Sequence, residues 1–205
     1  MPCMERAVPP VSDRMLSRSP ADPVASGNWT TRANALTLLR LLAAPALVVC
    51  IVASETLGAA LVFALAVGSD LADGWIARRF GEASPLGGSI DHAVDALFVS
   101  SGSAALAWLH VLPAALPPLI ALAFAQYALD SRCARSGALR ASALGRWNGI
   151  AYYAIVGLPI VRDALGSGWP GAQEVRGIGW LLVVTTLASM LDRARAARRA
   201  PRPVA

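Results

Sequence analysis

Six stretches of apolar residues alternate with short polar connections along the chain. The stretches cover residues 35–53, 57–80, 89–110, 119–129, 147–161 and 178–191. About 20 helical residues cross the ~30 Å hydrocarbon core of a bilayer, and several of these runs approach that length. Pro113 and the Pro117-Pro118 pair interrupt the pattern between the third and fourth runs. The pattern predicts an all-α integral membrane protein with six transmembrane helices in a single domain.

The two ends of the chain differ from the apolar part in composition. Residues 1–32 are rich in Pro and Ser with mixed charge, and they contain no apolar stretch of the kind that forms a signal peptide. Such segments stay disordered because they bury too little apolar surface to offset the entropy of ordering. Residues 194–205 are rich in Arg. We therefore expect a disordered tail over 1–32, the membrane domain over 33–193 and a basic tail over 194–205.

The charged residues are few, and their placement predicts how the chain lies in the membrane. Hydrophobic types make up 56% of the 205 residues and charged types 15%, outside the balance of soluble domains. The net charge of +5 comes from Arg residues between and beyond the apolar runs, which argues against a nucleic-acid partner. Because Lys and Arg accumulate in cytoplasmic loops, both termini are expected in the cytoplasm, with Arg162 and Arg176 on the opposite side. The expected location is the cell membrane, crossed several times.

Four carboxylates interrupt the second and third apolar runs. Asp70 and Asp73 lie near the end of the second run, and Asp91 and Asp95 lie near the start of the third. Each pair shares a helix face because residues three or four apart are neighbours. An unpaired charge in a bilayer costs roughly 2.5–3.5 kcal/mol, so a cation must offset this cluster. Carboxylate oxygens suit Mg²⁺ or Mn²⁺, whereas His92, which spacing turns away from its neighbours, is set aside as a bystander.

Further residues between these carboxylates fit a phosphate ligand. Two metal ions would clamp a pyrophosphate and neutralise charge on its oxygens, so phosphoryl-type transfer is the expected chemistry. Gly74 and Gly87 would let a ligand approach the backbone, although glycines also serve helix packing in membranes. Arg78 would donate to phosphates, although an Arg at the end of a span also reaches for the interface. Asp91 taken alone would also serve as the acidic residue of a helix N-terminus.

The carboxylates and the residues between them match the complete motif of the CDP-alcohol phosphatidyltransferase family, D-x2-D-G-x2-A-R-x8-G-x3-D-x3-D. The matching residues are Asp70, Asp73, Gly74, Ala77, Arg78, Gly87, Asp91 and Asp95. The segment from Asn34 through Thr37 to Arg40 also resembles the N-x-L-T-x2-R stretch of this family. Within the family, the chain resembles phosphatidylglycerophosphate and phosphatidylinositol phosphate synthases.

This resemblance implies an enzyme that displaces CMP from a CDP-linked lipid, here CDP-diacylglycerol, with an alcohol. It implies two Mg²⁺ or Mn²⁺ ions held by Asp70, Asp73, Asp91 and Asp95, with Asp95 as the base that takes the proton of the acceptor hydroxyl. It also suggests a homodimer, and the predicted topology puts the active site toward the cytoplasm. The residues that the resemblance assigns to the CDP moiety are Asn34, Thr37, Gly74, Ala77, Arg78, Ser84 and Gly87.

The acceptor alcohol is the open part of this interpretation. Arg residues follow the fourth apolar run and would bind an acceptor that carries phosphate, although topology alone also attracts Arg to a cytoplasmic loop. They are Arg132, Arg135, Arg140 and Arg146. The segment from Leu144 to Trp147 resembles the L-G-K-W stretch of members acting on glycerol phosphate, but Asn148-Gly149 departs from the K-T that follows. Inositol phosphate, another phosphorylated polyol, serine or a lipid alcohol therefore remain open.

Two other functions are compatible with intramembrane carboxylates. A divalent-cation transporter would use them as a permeation site, but the connections on the opposite side contain only Glu55, Asp163 and Glu174. An Asp-rich membrane prenyltransferase would also bind a metal pyrophosphate, but it would not require the Gly and Arg positions. We therefore expect the transferase.

Overall fold

The computed structural model of the chain describes the backbone of residues 32–80, 85–133 and 143–199, and side chains within 36–72, 90–130 and 144–196. These residues form six α-helices and no strand, which confirms the predicted all-α architecture. The helices are α1 (Arg32–Val52), α2 (Thr56–Phe80), α3 (Pro85–Trp108), α4 (Leu116–Cys133), α5 (Ala143–Ala164) and α6 (Ala172–Arg199). Each apolar run corresponds to one helix. The tail predicted over residues 1–32 lies outside the described residues, apart from Arg32.

Two helix ends differ from the sequence pattern. α4 begins at Leu116, so Pro117 and Pro118 lie in its first turn instead of in the preceding connection. A helix accepts proline there because the amide groups of the first turn have no intrahelical partner. α6 continues to Arg199, beyond the last apolar run, so the beginning of the basic segment is helical.

The outer surface of the bundle is apolar over much of its length. Leu42, Leu61, Leu122 and Leu181 lie on four different helices, and each is more than half exposed. Among the described residues, one segment, Ala172–Ala196, is long and apolar enough to cross a membrane. Three shorter apolar helical segments accompany it, namely Leu36–Val52, Thr56–Ala72 and Leu116–Asp130. Helices with apolar outer faces are consistent with a membrane protein.

The core joins the helices that carry the candidate site. α1 packs against α2 and α3, and α5 packs against α2, α3 and α6. The fully buried side chains of Leu47, Phe98 and Val156 come from α1, α3 and α5. The Phe98 ring centroid lies 6.2 Å from that of Phe63 and 6.1 Å from that of Tyr153. This aromatic layer links α2, α3 and α5 one helical turn from Asp95.

α6 closely approaches the connection between α3 and α4 at Gly179. A Cβ atom built on Gly179 would lie 2.6 Å from Cδ of Pro113 and 3.4 Å from Cδ2 of Leu112. Both neighbours are buried, and the ring of a proline cannot rotate away. Two residues earlier on α6, a Cβ on Gly177 would meet nothing within 4 Å. Glycine at 179 therefore allows this contact, whereas the space beside Gly177 is open.

We expect Gly179→Ala to lower the free energy of unfolding by about 1–3 kcal/mol, the usual cost of overpacking. Gly177→Ala is the matched control, and it should leave stability unchanged or raise it by up to about 1 kcal/mol because alanine favours a helix over glycine. Thermal unfolding of the detergent-solubilised variants measures both effects. Equal melting temperatures for the two variants would contradict the close approach.

Candidate active site

A buried arginine from α1 lies at the centre of the candidate site. The side chain of Arg40 is 0% exposed, and its Nη1 lies 2.7 Å from Oδ1 of both Asp91 and Asp95 on α3. Its Nη2 lies 3.2 Å from Oδ1 of Asp70 on α2. The packing of α1 between these two helices brings the four residues together. Arg40 is therefore the cation that offsets the carboxylates, a role that sequence analysis did not assign to it.

Thr37 lies one helical turn before Arg40 and faces the same carboxylates. It is buried, and its Oγ1 donates a long hydrogen bond of 3.4 Å to Oδ1 of Asp91. Residues three apart share a helix face, which explains why both side chains of this segment reach α3. The N-x-L-T-x2-R segment of α1 thus borders the carboxylate cluster.

Tyr153 on α5 is a second residue that sequence analysis missed. Its hydroxyl donates a 2.8 Å hydrogen bond to Oδ1 of Asp95, whose side chain is only 13% exposed. The Tyr153 ring stacks on Phe98, so the core holds the phenol in place. A tyrosine in the middle of an apolar run was the available signal, because a buried phenol usually finds a hydrogen-bond partner. Arg40 and Tyr153 together orient the Asp95 carboxylate from two sides.

The described carboxylates have the donor chemistry of a site for a hard divalent cation. Oxygen atoms of Asp91 and Asp95 and a ring nitrogen of His92 all lie within 4.8 Å of one another. The side chains of Asp70 and Asp91 are 37% and 29% exposed, so a ligand can reach them although Arg40 is fully buried. Carboxylate oxygens are the donors that Mg²⁺ and Mn²⁺ prefer, and imidazole nitrogen is a softer donor. These residues fit a metal ion.

The prediction that the His92 side chain turns away from Asp91 and Asp95 is wrong. Adjacent residues on a helix diverge by about 100°, which is why spacing turned His92 away from Asp91 and Asp95. The imidazole extends well beyond Cβ, however, and its nitrogen comes close to both carboxylates. The His92 ring rests edge-on against Tyr127 of α4, with centroids 5.7 Å apart. His92 therefore belongs to the surroundings of the site.

Apart from Arg146, the remaining residues assigned from sequence fall outside the described side chains. Asn34, Asp73, Gly74, Ala77, Arg78, Gly87 and Arg132 lie within helices, at positions where side chains are not described. Ser84, Arg135 and Arg140 lie in the segments between the described helices. The structure brings together Thr37, Asp70, Asp91 and Asp95, and the roles assigned to all of these residues stay predictions.

A cavity of about 230 Å³ lies between α4, α5 and α6, next to the segment of α3 that carries Asp91 and Asp95. His92 lines one edge of the cavity. Among the four arginines predicted to bind the acceptor, Arg146 is the one whose side chain is described, and it also lines the cavity. Other polar residues of the lining are Gln126, Asn148, Thr186, Ser189 and Arg193. Tyr152 and Thr186 join α5 to α6 at this cavity through a 2.8 Å hydrogen bond between their hydroxyls. Polar side chains of three helices thus meet at this cavity inside an apolar bundle.

Three buried polar atoms at this cavity have no hydrogen-bond partner among the described residues. They are Oε1 of Gln126, Nδ2 of Asn148 and Nε of Arg193. The amide nitrogen of Gln126 donates to the Met190 carbonyl at 3.1 Å, and the Arg193 guanidinium lies over the Tyr127 ring, 5.2 Å from its centroid. An unpaired buried polar atom costs roughly 1–3 kcal/mol, so these three atoms suit water or a polar ligand.

Removing the guanidinium is expected to destabilise the bundle strongly. We expect Arg40→Met to lower the free energy of unfolding by about 3–5 kcal/mol, because it leaves neighbouring carboxylates without their cation. Arg162→Met is the control, since Arg162 pairs with one half-exposed carboxylate, Asp163, and donates to the Pro170 carbonyl, so its loss should cost about 1–2 kcal/mol. Denaturant titration of the detergent-solubilised variants measures both changes.

A second substitution tests whether charge is the cause. Adding Asp91→Asn to Arg40→Met removes one repelling carboxylate, so the double variant should recover part of the lost stability. If Arg40→Met costs no more than Arg162→Met, the ion cluster does not stabilise the bundle.

A comparison with protein families bears on the whole arrangement. The family model for the CDP-alcohol phosphatidyltransferase family matches residues 30–193. The match spans the carboxylates of α2 and α3, the Arg40 segment of α1 and the cavity between α4, α5 and α6. It favours a transferase over the transporter and the prenyltransferase. The chain therefore belongs to the CDP-alcohol phosphatidyltransferase family.

Proposed function

We propose that this protein is a metal-dependent enzyme that displaces CMP from CDP-diacylglycerol with the hydroxyl of a polar alcohol. Membership of its family makes it a transferase of phospholipid synthesis. The observation that carries the finer proposal is the setting of Asp95. Its carboxylate is held by Arg40 and Tyr153. A ring nitrogen of His92 lies within 4.8 Å of an Asp95 oxygen, and His92 lines a cavity that Arg146 and Arg193 also line.

Four carboxylates are proposed to hold two Mg²⁺ or Mn²⁺ ions. They are Asp70, Asp73, Asp91 and Asp95. When bound, such ions polarise phosphoryl oxygens and offset the charge of the departing CMP. The partial exposure of Asp70 and Asp91 supports this role. One guanidinium cannot neutralise four carboxylates, so the charge that is left also suits divalent cations.

Asp95 is proposed to be the general base. The acceptor hydroxyl gives its proton to the Asp95 carboxylate, and the acceptor oxygen bonds to the phosphorus that carries diacylglycerol. The bond from that phosphorus to the bridging oxygen of CMP breaks, and CMP leaves with its electron pair. Arg40 and Tyr153 both donate to Oδ1 of Asp95. We therefore assign the proton to Oδ2, which receives neither bond.

The nucleotide is proposed to lie beside the carboxylates, at the ends of α1 and α2. Its contacts are proposed to be Asn34, Thr37, Gly74, Ala77, Arg78, Ser84 and Gly87. The buried position of Thr37 next to Asp91 supports this assignment, because its hydroxyl already borders the proposed metal ligands.

The acceptor is proposed to occupy the cavity between α4, α5 and α6. The guanidinium groups of Arg146 and Arg193 at this cavity suit an alcohol that carries phosphate. Gln126, Asn148 and Thr186 also line this cavity and offer hydrogen-bond partners to the hydroxyls of a polyol. Arg132, Arg135 and Arg140 are proposed as further phosphate contacts from the connection between α4 and α5.

The protein is proposed to cross the cell membrane six times, with both termini and the active site on the cytoplasmic side. The distribution of Arg along the chain and the apolar outer face of the bundle support this topology. A homodimer is proposed from the resemblance to the family.

Divalent metal should stabilise the folded protein. At Mn²⁺ concentrations about 100 times the dissociation constant, we expect a gain of about 2.7 kcal/mol in the free energy of unfolding. Asp91→Asn should abolish most of this gain. Asp163→Asn is the control, because Asp163 lies ten residues beyond Tyr153 on α5, about 15 Å along the helix. Melting curves with and without MnCl₂ measure the effect, and equal shifts in both variants would contradict the metal site.

The reaction itself is tested by release of CMP. Purified protein with CDP-diacylglycerol and Mg²⁺ or Mn²⁺ should release CMP when inositol phosphate or another phosphorylated polyol is added. The panel also includes glycerol 3-phosphate, serine and a lipid alcohol. No CMP with any acceptor, from folded and metal-loaded protein, would refute the transferase.

Asp95→Asn separates the base from the binding site. We expect this variant to bind CDP-diacylglycerol normally but to lose about 10²- to 10⁴-fold in turnover, the usual contribution of a general base. Equilibrium binding of the CDP-lipid and the CMP assay measure the two properties. Equal loss of both would make Asp95 chiefly a metal ligand.

A further inference from the structure

We infer that His92 binds the hydroxyl-bearing part of the acceptor and orients it toward Asp95, so that this residue determines acceptor selection. The inference rests on the proposed function and goes beyond it. The D-x3-D part of the family motif specifies Asp91 and Asp95, and it assigns no role to His92, which lies between them. The geometry that carries the inference is the location of the imidazole, between the carboxylates and the cavity.

His92 is the described residue that joins the two parts of the site. Its ring nitrogen lies within 4.8 Å of ligand oxygens of Asp91 and Asp95. The same side chain is exposed and lines the cavity of about 230 Å³ that Arg146 and Arg193 also line. A molecule that fills the cavity and presents a hydroxyl to Asp95 must therefore pass next to this imidazole.

A row of aromatic contacts fixes the orientation of His92. Its ring meets Tyr127 edge-on at 5.7 Å, an arrangement that aromatic pairs prefer. The opposite partner of Tyr127 is Arg193, whose guanidinium lies over the same ring at 5.2 Å. His92, Tyr127 and Arg193 thus form one continuous wall from the carboxylates to the cationic end of the cavity.

His92 and Tyr127 of this wall also line a groove of about 440 Å³ between α3 and α4. His92, Phe124 and Tyr127 line both spaces, whereas Ala96 and Ala125 line only the groove. Within the wall, the imidazole is the group whose nitrogen lies within 4.8 Å of the Asp91 and Asp95 oxygens, and its polar edge can bind a hydroxyl. A neutral imidazole has one donor and one acceptor, which matches a hydroxyl in either direction.

The competing role is that of a metal ligand, and the contacts favour acceptor binding. The His92 ring is held against Tyr127 of α4 and lines the cavity, whereas Arg40 contacts the carboxylates from α1. The four Asp residues already supply an oxygen set that suits Mg²⁺ or Mn²⁺. The experiment below measures metal affinity directly, so the two roles give different results.

The test compares His92→Ala with His110→Ala, which changes the other histidine of the chain. The wild-type enzyme is first assayed with inositol phosphate, glycerol 3-phosphate and serine, and the best of these is used for kinetics. We expect His92→Ala to raise the KM for that acceptor about 3- to 10-fold, the value of one hydrogen bond. The KM for CDP-diacylglycerol and the Mn²⁺ dissociation constant, measured by electron paramagnetic resonance, should change less than twofold. His110→Ala should change none of them.

Two conservative variants show which ring nitrogen of His92 makes the hydrogen bond to the acceptor. They also replace His92→Ala if that variant does not fold. His92→Asn presents an amide near the position of Nδ1, and His92→Gln presents one near the position of Nε2. One of the two should restore the acceptor KM to within about twofold of wild type, which a purely structural role would not produce.

The contrary outcomes are distinct. An unchanged KM for the acceptor in His92→Ala would overturn the inference and leave the proposed function intact. The same conclusion would follow if the KM values for the acceptor and for CDP-diacylglycerol rose by the same factor in both His92→Asn and His92→Gln. Weaker Mn²⁺ binding by more than threefold in the His92 variants would overturn it in favour of a metal ligand. Failure of the wild-type enzyme to release CMP with any acceptor would refute the proposed function and the inference together.

Discussion

The ion cluster around Arg40 is the interaction on which the bundle and its proposed chemistry both depend. A guanidinium that is 0% exposed is tolerated only if its charge is paired, and the carboxylates would repel one another without it. Arg40 reaches from α1 to Asp70 on α2 and to Asp91 and Asp95 on α3, so its contacts constrain how these three helices pack. The same carboxylates are the proposed metal ligands. The cation that stabilises the fold therefore also sets how much negative charge is left for metal.

The aromatic layer next to this cluster connects ordinary core packing to the orientation of the proposed base. Phe98 is fully buried between Phe63 and Tyr153, and it lies one turn from Asp95 on the same helix. Because Tyr153 is packed on that layer, its hydroxyl is directed at Asp95 without a flexible loop. Residues that the bundle requires for packing thus also position the carboxylate that is proposed to accept a proton.

Helices α4, α5 and α6 contribute a cavity lined by polar side chains, whereas α1, α2 and α3 contribute the charged cluster. The cavity between α4, α5 and α6 is lined by Arg146, Arg193 and Gln126, and the buried atoms Nε of Arg193 and Oε1 of Gln126 are costly inside an apolar bundle unless a ligand or water pairs with them. The wall of His92, Tyr127 and Arg193 connects this space to the carboxylates. The CDP-linked lipid and the acceptor alcohol are therefore proposed to meet at the boundary between helices α1–α3 and helices α4–α6.

The sequence by itself determined the helices and the family, because each apolar run must satisfy its own backbone within one segment and because the motif carboxylates recur at helical spacing. It did not determine what Arg40 and Tyr153 do. Arg40 binds carboxylates 51 and 55 residues away and Tyr153 binds Asp95 across 58 residues, distances at which periodicity carries no information. Helical spacing also predicted the wrong direction for the His92 side chain, because the length of that side chain decides whether its ring reaches Asp91 and Asp95. Only the packing of α1, α3, α4 and α5 decided these partners, since charges and hydroxyls pair with whatever the neighbouring helix presents.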